Sequence, residues 1–288
     1  MDSKFNQILL GASFSDSDWD FAFSPGLFLS SKVIRLTVLG KDKEFISNAS
    51  GFIIREDNGY YLYTCWHVVT GIDFFDPKTP RNPPNRSFLR ITGKDAREIR
   101  DGIEVGGETS VQVPLYSQDN RPAWILDNGP RRPNEDLASI GIEIPESFDV
   151  IRLRINLPHH LAQLWSFNSD RDIYYGYSFN PGTFSTVILA GYPYGYSPNP
   201  LSVNPVFLKR MIACASTNIL SDTLLDGGGM PGMSGGPVFS EKHKLVGIYR
   251  GIIFPDAQSS EKSRKGNDRF AALGIMTDVA LFQASFKD

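Results

Sequence analysis

The stretch Leu225-Asp226-Gly227-Gly228-Gly229-Met230-Pro231-Gly232-Met233-Ser234-Gly235-Gly236-Pro237-Val238 crowds six glycines around one serine. Glycine serves where the backbone takes φ > 0 or comes very close to something else. Here glycines on both sides leave the Ser234 hydroxyl open and let amide groups turn inward, which is how donors for a developing oxyanion are preorganised. A serine hydroxyl is a weak nucleophile until a base takes its proton, and a third group must orient that base. Of the four histidines, His159 and His160 fall in a loop or helix start and His243 in the turn beyond the serine strand. His67 differs, ending a hairpin inside an apolar frame, Thr64-Cys65-Trp66-His67-Val68-Val69. The orienting acid belongs at the edge of a buried strand, where Asp136 stands in Glu135-Asp136-Leu137-Ala138-Ser139-Ile140. Singly, these read as a glycine-rich loop, a half-buried histidine and a turn aspartate. Together, in the order His, Asp, Ser, they read as a nucleophile with its base and that base's orienter.

The elements that must position them are short strands. Val33–Leu39 reads as the first, and Ser50–Arg55 and Tyr60–Thr64 form a hairpin across Glu56-Asp57-Asn58-Gly59, whose Asn-Gly is a strong turn signal. Residues 71–133 are proline-rich, with strands expected at Phe88–Thr92 and Val111–Leu115. A helix is expected at His159–Phe167, strands at Thr186–Gly191, Val206–Ser216, Pro237–Phe239, Lys244–Ile253 and Phe270–Thr277, and a short closing helix from Asp278, capped by Thr277 or Asp278. Many strands with turns between them imply an all-β sandwich or pair of barrels. Residues 1–31 read as an extension laid over the body.

With 288 residues, 41% hydrophobic and 21% charged, the chain has material for a full core, and its net charge of −3 gives no general attraction for nucleic acid or anionic membrane. No apolar run reaches the roughly 18–20 residues of a membrane span. No secretory signal is visible at the N-terminus, and two cysteines are too few for a disulfide scaffold, so a cytoplasmic location is expected.

The three motifs together resemble the trypsin-like (chymotrypsin-fold) serine peptidases, within them the bacterial group that includes the HtrA/Deg proteases. Thr64-x-x-His67-Val68-Val69 looks like that group's histidine motif, Asp136-Leu137-Ala138-x-Ile140 like its aspartate motif, and Asp226 through Gly232-x-Ser234-Gly235-Gly236-Pro237 like its serine motif. Gly191-Tyr192-Pro193-Tyr194-Gly195 resembles its Gly-x-Pro-x-Gly turn, and Leu245-Val246-Gly247-Ile248 the strand flanking the substrate. The resemblance implies an all-β fold of two antiparallel six-stranded Greek-key barrels with a short C-terminal helix, in a single domain. The first barrel is expected over about 33–144 with an insertion at 71–133, and the second from about 151 to the closing helix. It implies a serine endopeptidase acting through an acyl-enzyme, with His67, Asp136 and Ser234 catalytic and the Gly232 and Ser234 amides as the oxyanion hole. Gly228 falls at the floor of the substrate pocket, beside a wall of Arg250, Gly251 and Ile252. An uncharged floor partly filled by Ile252 favours cleavage after small or medium apolar residues, with Asp226 left a structural role. Neither metal nor cofactor is implied.

Several features depart from the family pattern. Trp66 stands where a smaller residue is common, narrowing the cleft beside His67, and there is neither an Ile-Val-Gly-Gly start nor a PDZ-like segment after residue 283. The glycine run is costly to order. It is held either by packing of Met230, Pro231 and Met233 or by substrate, a regulatory partner or a second subunit, the latter leaving a latent enzyme. Two rival classes are a catalytically silent binding or regulatory module on this fold and an α/β-hydrolase, whose Gly-x-Ser-x-Gly elbow Gly232–Gly236 also satisfies. The latter needs its histidine well after the serine, and only His243 follows Ser234.

Overall fold

The computed structural model describes residues 25–71, 86–95, 99–100, 103–104, 107–127, 149–174, 185–195, 204–214, 223–253, 273–279, 283 and 286. A helix, α1 (Pro25–Lys32), leads into β1 (Ile34–Leu39), so the described end of the expected extension is helical. β1 buries Ile34, Leu36 and Val38 on one face, the period of two that a strand imposes. The Asn-Gly hairpin forms as expected, joining β2 (Phe45–Glu56) to β3 (Gly59–Cys65) with Glu56 opposite Gly59. A short helix, α2 (Trp66–Thr70), follows at once and ends on Gly71 at φ 76°, whose N–H donates to His67 O.

The remainder of the first layer comprises β4 (Phe88–Asp95), the small hairpin β5 (Ile99–Arg100) and β6 (Ile103–Glu104), β7 (Gly107–Pro114), β8 (Trp124–Leu126) and β9 (Val150–Ile155). Helix α3 (His159–Trp165) then leads to β10 (Ser166–Asn168), which pairs parallel with β2, and to α4 (Ser169–Asp172). The main sheet runs β7-β4-β1-β2-β3-β9-β8. Its two ends approach where Ala123 N donates to Leu115 O at 2.9 Å and Tyr116 bridges Pro122. Among the described residues this layer is a path of seven strands with β10 added, where a six-stranded barrel is expected. It takes in β9, which pairs with β3 from Tyr60↔Ile155 to Cys65↔Val150.

The second layer is a closed barrel, β11-β12-β13-β16-β15-β14, as expected of six strands. These are β11 (Thr186–Gly191), β12 (Val206–Cys214), β13 (Thr223–Leu225), β14 (Pro237–Ser240), β15 (Leu245–Ile253) and β16 (Leu273–Asp278). Thr277 and Asp278 close β16, the next residue, Val279, is helical, as is Gln283, and most of the segment expected to form the closing helix lies outside the described residues. Val187, Leu189, Met233, Val238 and Tyr249 fill one core, while Ala190, Tyr192, Phe239 and Ile248 join the core of the first layer. The layers are thereby packed together along the serine segment. No helix among the described residues is long and apolar enough to cross a membrane.

Lys32 pins α1 to this body, donating to Gln163 O near the end of α3 at 3.1 Å and to Ser166 O at the start of β10 at 2.6 Å. Burial pushes its ammonium from the usual 10.5 down to about 8, with Asp172 opposing the shift. Between these values the unfolded chain binds the extra proton, so stability should rise with pH from about 8. Above pH 10 the rise should reverse, because burial holds Tyr249 up at about 12 and Tyr63 and Tyr192 higher still, while unfolded tyrosines ionise. Urea midpoints measured from pH 7.5 to 11 check both limbs, and Lys32→Met should remove the rise.

Candidate active site

His67 is delivered by the β3–α2 corner, and Asp149 meets it from the residue before β9. Asp149 Oδ2 lies 2.7 Å from His67 Nδ1, and Oδ1 accepts the His67 backbone N–H at 3.0 Å. The Asp149 carbonyl accepts from Trp66 N at 2.9 Å. A carboxylate at Nδ1 draws the imidazole proton there and leaves Nε2 as an acceptor. The Asp149 side chain is 0% exposed and that of His67 25%, so the acid is sealed while the base reaches solvent. Asp149 also sits at φ 59°. A non-glycine residue in the left-handed region costs of order 1–3 kcal/mol and clusters at functional sites. Asp136 lies outside the described residues, and the position it was expected to fill at His67 Nδ1 is held by Asp149.

Ser234 is half-buried, and its carbonyl accepts from Ser50 N on β2 at 3.0 Å. One carbonyl ties the serine and histidine segments together: Tyr249 O accepts from Gly235 N at 2.8 Å and from Cys65 Sγ at 3.5 Å. Gly235, at φ 84°, is required here, since a Cβ would strike Thr64 Oγ1 and Ser50 O. Gly235→Ala should therefore lift the serine loop off β2 and β3, costing more than about 2 kcal/mol in urea denaturation and lowering kcat.

Around Ser234 the amides divide in an alternating way. Met233 N donates to Met230 O, Gly235 N to Tyr249 O and Gly236 N to Met233 O, at 2.8–3.0 Å. Among the described residues the Gly232 and Ser234 amides donate to no acceptor. The Pro231 carbonyl accepts from Tyr194 N at 2.6 Å, and no peptide bond among the described residues is cis, so the Gly232 N–H points the opposite way. Gly232 is at φ 94°, and a Cβ there would meet Tyr192 O at 2.6 Å. Ser50 Oγ braces the loop from below, donating to Gly232 O at 2.8 Å and accepting from Tyr192 N at 2.9 Å. Met233 is fully buried. Tyr194 holds φ 53°, a second strained residue against the same loop.

A Cβ at Gly228 would meet Ile252 Cγ1 at 2.5 Å, so the isoleucine side chain lies over Gly228. Gly251 is half-buried beside it on β15. Arg250 does not face this pocket. Its side chain is 2% exposed, with Nε 4.0 Å from Asp149 Oδ2 and Nη1 donating to Thr277 Oγ1. A bulge in the β15–β16 register between Tyr249 and Gly251 breaks the strand's alternation at this residue. Asp226 is exposed and accepts from Met211 N at 2.9 Å, a structural bond closing β12. Cys65, His67 and Asp149 offer ligand atoms within 4.8 Å of one another. Burial pushes the Cys65 thiol well up, and the Arg250 cation adjoins Asp149, both of which oppose a metal ion.

Residues 49–248 match the family model described as a trypsin-like peptidase domain. No curated protein matches the chain. Two solved structures of the HtrA-type protease AlgW with a tripeptide, one of them a variant, are similar to it at 15% and 16% identity, with TM-scores of 0.48 and 0.49. Each likeness covers 91% of this chain, which spans 62% of the length of that protease. With the family model matching well over half of its length, the chain belongs to the trypsin-like peptidases.

Proposed function

We propose that the chain is a serine endopeptidase in which Ser234 attacks the peptide carbonyl, His67 takes and returns the proton, and Asp149 orients His67. The reading rests above all on the 2.7 Å contact between the buried Asp149 carboxylate and His67 Nδ1. With Nδ1 donating, Nε2 accepts the Ser234 hydroxyl proton as the C–O bond forms, and then delivers it to the leaving amine as the C–N bond breaks. The two uncommitted amides, Gly232 and Ser234, supply the donors for the tetrahedral oxyanion. Water repeats the sequence on the acyl-enzyme and frees Ser234. No cofactor takes part in this scheme.

Small or medium apolar side chains on the acyl side suit a pocket with Gly228 at its floor and Ile252 across it. A floor of Gly228 carries no charge to pair a buried substrate Arg or Lys, and leaving that cation unpaired costs several kcal/mol. A mass-spectrometric map of cleavage sites in a peptide library should show Ala, Val or similar residues before the cut. A map dominated by Arg and Lys would overturn this specificity, and no cleavage of any peptide would favour the silent module.

The Ser50 brace and buried Met233 favour an active-site loop ordered by its own packing over one awaiting a regulatory partner or second subunit. Active-site titration of the dilute chain should then proceed without lag. A lag shortened by raising protein concentration would restore the latent reading.

A further inference from the structure

Arg250 on β15 is 2% exposed, and its Nε stands 4.0 Å from Asp149 Oδ2. Nη1 reaches Thr277 Oγ1 on β16 at 3.3 Å, which fixes the guanidinium from its far side. Asp149 is fully buried. In the resting pair His67 must be neutral to act as a base, so the Asp149 charge needs compensation elsewhere. A second carboxylate nearby, Asp127, is 1% exposed at the end of β8 and accepts from Val150 N at 3.0 Å. Cys65, from β3, is held as a neutral thiol by burial, the nearby carboxylates reinforcing this. Asp127, Cys65 and Arg250 are charged or titratable groups set around Asp149, Arg86 donates to the Val68 carbonyl on α2, and Arg250 is the cation beside the Asp149 carboxylate.

We propose that Arg250 is a positioning residue: its buried guanidinium balances Asp149 in the resting pair, so that Asp149 orients His67 without locking it in the protonated, inactive form. The proposal rests on reading His67 and Asp149 as the working pair. Removing the guanidinium leaves Asp149 to be neutralised by a proton on His67 or on itself, and either form is inactive. Higher pH restores the working state.

The test compares Arg250→Met and Arg250→Lys with the wild type in kcat/KM across pH, using one peptide substrate. Arg250→Met should move the half-maximal pH upward by about one unit, the size expected for one nearby charge, while the alkaline plateau stays within a few-fold. Arg250→Lys keeps the charge and should restore the midpoint. A lowered plateau with an unmoved midpoint would make the arginine merely structural and overturn the proposal. Should Arg250→Met fold poorly, the charge coupling is read by urea denaturation with and without Asp149→Asn. Arg250→Met should lower the urea midpoint beside Asp149 and leave it unchanged or raised in the Asp149→Asn background. Equal losses in both backgrounds overturn the proposal. This second readout needs no turnover, so absence of peptide hydrolysis by the wild type would count against Ser234 chemistry and not against the Arg250–Asp149 coupling.

Discussion

Ser234→Ala is expected to lower kcat by about 10⁶-fold while KM stays within a few-fold, because the substrate's main binding contacts do not involve the hydroxyl. The alanine keeps its backbone amide and its carbonyl bond from Ser50 N, so the loop and the two free amides remain in place. A residual acceleration of about 10³–10⁴ over water should persist from oxyanion binding alone. Progress curves on a single peptide, with unfolding midpoints to show that the variant is native, check both statements. Wild-type turnover in the variant would remove the serine from the mechanism.

Asp149→Asn should cost about 10⁴-fold in kcat and lower the urea midpoint, since the buried Arg250 cation loses the carboxylate beside it. The amide oxygen can still accept the His67 backbone N–H now received by Oδ1. The amide NH₂ then faces Nδ1 and can only donate, which forces the imidazole proton to Nε2, where it blocks transfer from Ser234. Asp136→Asn should change kcat by less than a few-fold, since the place at Nδ1 is already taken. Equal losses from both substitutions would contradict the assignment of the orienting acid.

The two aspartates show where sequence reasoning stops. Asp136-Leu137-Ala138 and Asp149-Val150-Ile151-Arg152-Leu153 both place an acid before an apolar run, and the latter has the alternation of a half-buried strand. The acid that reaches His67 is set by which strand lies beside β3, through Cys65↔Val150, a pairing between residues distant in sequence that local pattern cannot specify. The hairpin that ends at His67 and the positive-φ glycines on either side of Ser234 were legible because their requirements are local. The closed second barrel was legible for the same reason, with each strand bounded by its own turns. The first layer was not, because α3 and β10 return across β2 and β9 joins on the other side of β3. The family resemblance places Arg250 in the pocket wall. The bulge beside it turns its side chain inward to Asp149, and a bulge leaves no reliable mark in the sequence.

The most direct measurement of the Ser234–His67–Asp149 unit is labelling with a serine-directed fluorophosphonate, followed by peptide mapping, in the wild type, Asp149→Asn and Asp136→Asn. Rapid modification confined to Ser234 in the wild type and in Asp136→Asn, with modification slowed by orders of magnitude in Asp149→Asn, is the predicted result. Ser234 left unlabelled in the folded wild type, or labelled equally fast in Asp149→Asn, would contradict it.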